Sequence, residues 1–433
     1  MLAQLSFSDR FIKSDFLRSV ATLAGGTALA QAIPILVSPL LTRLYTPEDF
    51  GILAVFTAIV SSLAPAVCGK YEVAMVLPRR NSQGIELLGI ALWFAFILST
   101  GFLFVVIFFS GSILSLINAK NLNGWIYLTP IFLFLTGLMM VMTYFANRRQ
   151  DYGIMARSKI VRAFFVALIS IVLGFAGFGA SGLILSVIVG LFFAVGYLFY
   201  LYGREFTPGF LRWNESKRML LKSYKDYPLY NASSSLLDGI TMSLPVFFLA
   251  HYFPETIVGY FALVLRIGNT PLSFISGSVS QVNLKKIVDL VNSKQDVQPY
   301  LFRLTGGLLL LVLPPTIFFM VFSPDLFAYL FGAQWREAGY YMQILIPAIS
   351  VKFIASTLSS TLGATQNNHL GMIWKLTSFF VSLAVFSWIA PKGDEILFFK
   401  AAVVMDIVLY IFYYYLIWKA ANQPRNILEK CAG

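Results

Sequence analysis

Apolar residues in this chain come in long runs separated by short polar turns, twelve times over. The runs cover about 18–42, 49–77, 85–110, 125–147, 160–179, 182–202, 227–250, 256–281, 301–322, 338–364, 371–390 and 395–418. A hydrocarbon layer is crossed by about 20 helical residues, so each run predicts a membrane-spanning helix. No connecting segment exceeds about 25 residues, which leaves no room for a large soluble domain. The longest, 203–226, sets Phe206, Phe210, Leu211 and Trp213 beside Lys217, Arg218 and Lys222. That mixture predicts an amphipathic stretch along the inner leaflet. It separates two sets of six spans, 18–202 and 227–418, with a tail at 419–433. Residues 1–17 carry Asp9, Arg10, Lys13 and Asp15 and lack the apolar core of a cleavable signal. Phe7, Phe11 and Phe16 predict a short helix lying on the membrane.

Composition agrees. Of 433 residues 58% are hydrophobic and 12% charged, with mean hydropathy +0.76. Soluble domains carry about a quarter charged residues, so a soluble or disordered chain is excluded. Cys68 and Cys431 suggest neither a disulfide framework nor a metal site. With both termini placed in the cytoplasm, 24 of the 32 Lys and Arg fall in cytoplasmic segments and five in outer ones. The positive-inside rule favours that orientation. It also accounts for the net charge of +12 without nucleic acid.

The two halves share a local signature. Tyr45, Pro47 and Glu48 in the first outer turn match Tyr252, Pro254 and Glu255 at a constant offset, and Gly51 matches Gly259 after one inserted residue. At the same offset Thr27 meets Ser234, Gln31 meets Asp238, and Ser38 meets Pro245. Six spans per half make the repeat parallel, about an axis along the membrane normal. The predicted fold is an all-α integral membrane protein of about twelve transmembrane helices in two six-helix bundles. A duplicated bundle of this kind reads as a transporter, with substrate near the midplane between the halves.

Polar residues concentrate in a few spans. The seventh carries Asn231, Ser234 and Asp238 on one stripe. The first carries Thr27 and Gln31, and the eighth and tenth are rich in Ser, Thr and Asn. Three cations, Lys70, Arg266 and Lys352, and the acids Glu72, Asp238 and Asp406 fall inside the predicted spans. A charge at the bilayer centre costs about 2.5–3.5 kcal/mol even on the lenient insertion scale. Arg266 either cradles an anionic substrate or pairs with Asp238. Lys352 is either a substrate cation or the partner of Asp406, and Lys70 stands near Glu72. Gln31, Asn231 and Ser234 offer hydrogen-bonding groups to a polar substrate. Asp238 and Asp406 are candidates for ion coupling.

His251 and His369 read as interfacial, and Tyr410, Tyr413, Tyr414, Tyr415 and Trp418 as an inner-leaflet aromatic belt. Gly25-Gly26 and Gly306-Gly307 read as packing positions. No phosphate-binding loop for ATP hydrolysis occurs, and no Ser/His/Asp arrangement is offered. No cofactor is predicted, apart from coupling to an H+ or Na+ gradient.

The segments Leu23–Gln31 and Pro34–Gly51, Lys70-Tyr71-Glu72 and Leu330–Gly339 resemble the Wzx-type polysaccharide flippases. These belong to the multidrug/oligosaccharidyl-lipid/polysaccharide exporter superfamily. The resemblance covers nearly the whole chain in length and span count. It implies two bundles around a cationic cavity of alternating access. It implies transport of an undecaprenyl-diphosphate-linked oligosaccharide to the outer leaflet of the bacterial inner membrane, for O-antigen, lipopolysaccharide or another surface polymer. Implied partners are the lipid-linked oligosaccharide, membrane lipids, a polysaccharide polymerase and a chain-length regulator. A diphosphate suits a guanidinium, which binds it bidentately and stays charged. Competing readings are a cation-coupled multidrug antiporter of the same architecture, a membrane-embedded polymerase or glycosyltransferase, and a membrane scaffold. The short outer loops argue against the enzyme, and the midplane charges against the scaffold.

Overall fold

The computed structural model describes residues 2–122, 124–206 and 210–422, with side chains from Thr22 onward except that of Lys120. The aromatic face expected within 1–17 and the tail beyond Asn422 lie outside the described residues. Among the described residues every regular element is helical.

Among the described residues, twelve helices are long and apolar enough to cross a membrane. In order they are Thr22–Leu44, Pro47–Ala66, Asn81–Leu116, Trp125–Arg148, Tyr152–Phe175, Ala180–Glu205, Tyr227–Tyr252, Glu255–Asn292, Gln298–Phe331, Ala333–Ala364, Asn368–Lys392 and Glu395–Asn422. They are called spans one to twelve below. The chain is a multi-pass membrane protein. Span eight has 38 residues, about 57 Å at 1.5 Å per residue, so it outruns a hydrocarbon layer of about 30 Å. Hydropathy marks only its apolar part and misses the polar continuation through Lys285 and Lys286.

The chain divides into two compact units, one of residues 1–45 and 56–239, the other of 46–55 and 240–433. Spans two and seven therefore each contribute to both. Within the first unit span three packs on span four, four on six, and five on six. The second unit repeats this scheme, with nine on ten, ten on twelve and eleven on twelve. Span one lies along span five. Between spans six and seven in the chain, and against span three, Glu215–Ser223 forms a short helix capped by the Asn214 side chain, which accepts from the Lys217 N–H at 2.8 Å. Lys217 Nζ is buried and donates to the Arg212 carbonyl at 2.7 Å and to that of Phe210. That lysine fixes the loop, while Trp213 and Met219 are exposed.

The repeated turns have a physical reason. A Cβ on Gly51 would lie 2.1 Å from the Glu255 carbonyl oxygen, and one on Gly259 would lie 1.8 Å from that of Pro47. Each turn thus presents a backbone carbonyl to the other's glycine, and only glycine permits that approach. Beside the crossing Phe50 meets fully buried Trp335 edge-on at 5.1 Å. In the first unit Tyr45 is equally buried, its hydroxyl donating to the Ser170 carbonyl at 2.6 Å. Gly174 and Gly182 make its slot, since a Cβ on either would touch the Tyr45 ring or hydroxyl.

Three expectations are corrected. Tyr410 and Tyr413 do not form a lipid-facing belt: both are buried, with Trp374 stacked 4.3 Å from Tyr413. Only Tyr415 among the four tyrosines is strongly exposed. Of the paired glycines, Gly26 makes a close contact, against Ala156, whereas Gly25, Gly306 and Gly307 face open space. Lys70 and Glu72 lie past the end of span two, which closes at Ala66.

The glycine crossing predicts an asymmetric response. Gly259→Val overfills the contact with Pro47, and overpacking of this kind costs about 1–3 kcal/mol. Gly277→Ala, with nothing within 4 Å of its Cβ, leaves stability unchanged or slightly raised. Thermal unfolding in detergent separates the two.

Candidate functional site

In the first unit, span two ends in a tight turn. Gly69 and Lys70 both take left-handed backbone angles, φ 60° and 61°, before the single helical turn Tyr71–Ala74. That conformation is uncommon for lysine. Lys70 Nζ lies 3.9 Å from Glu72 Oε1, and the Glu72 side chain is 1% exposed. Its other oxygen, Oε2, is buried without a hydrogen-bond partner. Arg148, at the end of span four, holds the following loop by donating to the carbonyls of Met75 (2.6 Å) and Arg80 (3.0 Å). Gly84 leaves room for that guanidinium, since a Cβ there would lie 2.5 Å from Arg148 Nε. The opening of span seven, Tyr227–Ala232, is a π-helical turn packed against this segment. It carries Asn231, which is exposed, while Ser234 and Asp238 further along are half-buried. Directly after Asp238, Gly239 passes the carbonyls of Ser61 and Ser62 where a Cβ would be 2.9 and 2.6 Å away. The polar stripe of span seven is thereby placed beside the end of span two.

Along spans one and five, Lys159 Nζ donates to Thr27 Oγ1 at 3.0 Å. Gln31 lies one turn beyond Thr27, and its Oε1 is buried without a hydrogen-bond partner. Lys159 falls just before the predicted run 160–179, yet it lies inside span five, which opens at Tyr152. The left-handed Gln150 just before that start ends the preceding turn early. The apolar pattern alone begins too late to include Lys159.

In the second unit, Lys352 faces the Tyr410 ring, 5.8 Å from its centroid. Asp406 stands one turn before Tyr410 on span twelve, in the electrostatic neighbourhood of Lys352. Among the described residues no carboxylate lies within 4 Å of Lys352 Nζ, so Tyr410 is its nearer partner. Trp374, whose Nε1 is buried without an acceptor, covers Tyr410 from span eleven at 5.6 Å. Arg266 is half-buried in span eight, 11 residues past Glu255, about 16 Å along the helix. Two residues later Gly268 packs on Ile349, with 3.0 Å from an ideal Cβ to its Cδ1. The candidate residues thus form separate clusters: Lys70 with Glu72, Thr27 and Gln31 with Lys159, and Lys352 with Tyr410 and Asp406. No group of three or more His, Cys, Asp or Glu side chains able to hold a metal occurs among the described residues.

Residues 40–339 match the family described as polysaccharide biosynthesis protein. The chain belongs to that family. The chain is also similar to the succinoglycan biosynthesis transport protein ExoT of Rhizobium meliloti (strain 1021), at 20% identity over 91% of this chain and 85% of that protein. The fold is that of the superfamily named above. The structure of lipid II flippase MurJ in an inward closed conformation gives a TM-score of 0.73 at 12% identity, covering 92% of this chain and 89% of MurJ. An inward-facing multidrug resistance MATE transporter of the MOP superfamily gives 0.64 at 15% identity, covering 93% and 96%. The polysaccharide biosynthesis family therefore presents here a transporter fold with buried polar and cationic clusters.

Burial pushes the Glu72 carboxyl above the usual carboxylate range, against the opposing pull of its backbone hydrogen bond and of Lys70. A raised carboxyl stabilises the fold most below the ordinary value of about 4.3, and that stability is lost as pH rises through the raised value. Glu72→Gln is expected to unfold at a higher temperature than the parent at pH 7 and at nearly the same temperature at pH 4. Parallel curves across that range would contradict the assignment.

Proposed function

We propose that this protein flips an undecaprenyl-diphosphate-linked oligosaccharide unit from the cytoplasmic to the outer leaflet of the bacterial inner membrane, by alternating access, for O-antigen or another surface polysaccharide. The observation that carries this reading is the burial of cations in the spans of a polysaccharide biosynthesis family member. Arg266, Lys352 and Lys159 all lie within spans and none is fully exposed. A cation held at membrane depth is expensive unless it meets an anion or a specific partner. The anion supplied by the reading is the diphosphate.

Arg266 has the best chemistry for that group, because a guanidinium bonds two oxygens at once and keeps its charge. Lys352, under Tyr410, and Lys159, on Thr27, are point charges that follow a moving phosphate. Gln31 Oε1, with its unmet acceptor capacity, suits a sugar hydroxyl, and Asn231 and Ser234 extend that polar path. Lys70, tied to Glu72, guards the end of span two. Asp238 and Asp406 are the acids assigned to H+ or Na+ coupling. The Lys/Arg bias puts both termini in the cytoplasm. A polymerase and chain-length regulator would take over the delivered unit. The role is transport and not catalysis.

The test uses cells whose surface polysaccharide depends on this protein. Losing a charged hydrogen bond of about 1.5–3 kcal/mol lowers a rate or affinity roughly tenfold to a hundredfold. Arg266→Ala is expected to reduce surface polymer at least about tenfold at equal membrane abundance, and Arg266→Lys to retain part. Undiminished export in Arg266→Ala would overturn the assignment.

A further inference from the structure

Spans eleven and twelve leave an apolar groove of about 720 Å³ on the surface of the second unit. Ile389, Met405 and Leu409 form its floor and are buried. Trp388, Val404 and Val408 stand at its lips and are strongly exposed. The groove runs from Lys400 to Phe412 on span twelve, and from Trp388 back to Thr377 on span eleven. The stretch from Lys400 to Phe412 is about 18 Å along the helix. One leaflet, half of a hydrocarbon layer of about 30 Å, has nearly that depth.

Only one end of the groove is charged. Lys400 lines it close to the start of span twelve at Glu395, and is exposed. A lysine at that depth carries its ammonium along its own apolar stem to the level of the headgroups. Lys392 closes span eleven and is exposed, with Nζ 4.3 Å from the centroid of the Trp388 ring that lines the groove. Neither lysine forms an ion pair among the described residues. The two acids of the same turn are engaged elsewhere. Asp394 Oδ1 accepts from the Leu397 N–H at 2.9 Å. Glu395 lies in the electrostatic neighbourhood of Tyr341, a buried residue of span ten. Positive charge therefore marks the turn end, and no other charged side chain lines the groove.

We propose that this groove binds an acyl chain of an anionic phospholipid, with the headgroup phosphate at Lys400 and Lys392 adding to the positive field there. An apolar groove open to a membrane is filled by a hydrocarbon chain, and its length selects which. One leaflet's depth fits a phospholipid chain, whereas a long polyprenyl tail outruns it. The unpaired lysines then favour a headgroup of net negative charge over a zwitterionic one. Met405 and Leu409 in the floor each adjoin a residue of the Lys352 cluster, Asp406 and Tyr410. The bound chain thus backs the helix that carries the partners of Lys352. The binding stands apart from the flippase reading.

The full-length protein, purified in a non-ionic detergent, is titrated with phosphatidylglycerol or with phosphatidylcholine of the same acyl chains, and its unfolding temperature is followed. Phosphatidylglycerol is expected to raise that temperature saturably, and at lower concentration than phosphatidylcholine. Lys400→Gln should raise the half-saturating phosphatidylglycerol concentration about fivefold, the effect of one basic residue beside a lipid anion. It should leave the phosphatidylcholine curve in place. Val404→Trp fills the groove from its lip and should weaken the response to both lipids, so either variant suffices if the other fails to fold. Lys286→Gln, at an exposed lysine of span eight, should respond as the parent does. Equal responses of the parent to the two lipids overturn the site, and so does a parent-like response in either groove variant. A shift with a polyprenyl phosphate but none with phosphatidylglycerol gives the groove to a different tail and overturns the proposal as well.

Discussion

Hydrocarbon offers no hydrogen bonds, and every polar group at membrane depth has to be satisfied within the chain. The rest of this structure follows from that constraint. Serines and threonines turn back on their own helices, as Ser38 does to the Pro34 carbonyl at 2.6 Å and Thr316 to that of Val312 at 2.7 Å. Tyr45, directly after span one, donates its hydroxyl hydrogen to the Ser170 carbonyl of span five. Arg148 closes two carbonyls of the loop after span two. Against that background the buried atoms with no hydrogen-bond partner among the described residues, on Glu72 and Gln31 among them, stand out.

The duplicated turns show how one sequence signature serves packing. Tyr45–Gly51 and Tyr252–Gly259 look like a loop motif in one dimension. In three, Gly51 accepts the approach of the Glu255 carbonyl and Gly259 that of Pro47. The repeat is thus kept where two copies of the same turn touch, which is a steric demand on glycine and on the carbonyls around proline. It is not evidence of a ligand at that place.

The number, order and approximate position of the twelve spans were legible because lipid imposes one demand, sustained hydrophobicity, that the sequence must display openly. Ends were not legible, because a helix continues after its apolar run stops. Lys159 was placed outside span five for that reason, although it sits on Thr27, one turn from Gln31. Lys70 and Glu72 erred the other way: Tyr71, Val73 and Ala74 keep the run apolar after the helix has broken at Gly69. Tyr410 and Tyr413 read as a belt because tyrosine favours interfaces. Their burial under Trp374 and beside Lys352 depends on span eleven, more than thirty residues away in sequence.

The polysaccharide biosynthesis family, the MurJ-like and MATE-like fold, and the buried cations support a single account. In the function proposed here, a lipid-linked anionic glycan meets charge supplied by a few basic side chains and hydrogen-bonding groups supplied by amides and serines. The most direct measurement reconstitutes the protein in liposomes carrying an undecaprenyl-diphosphate oligosaccharide on one side. The rate at which the glycan becomes accessible to a membrane-impermeant glycosidase on the other side is then followed under an imposed sodium or proton gradient. The account predicts protein-dependent access well above that of empty liposomes. Access no faster than in protein-free vesicles, with a cognate glycan and either gradient imposed, would contradict it.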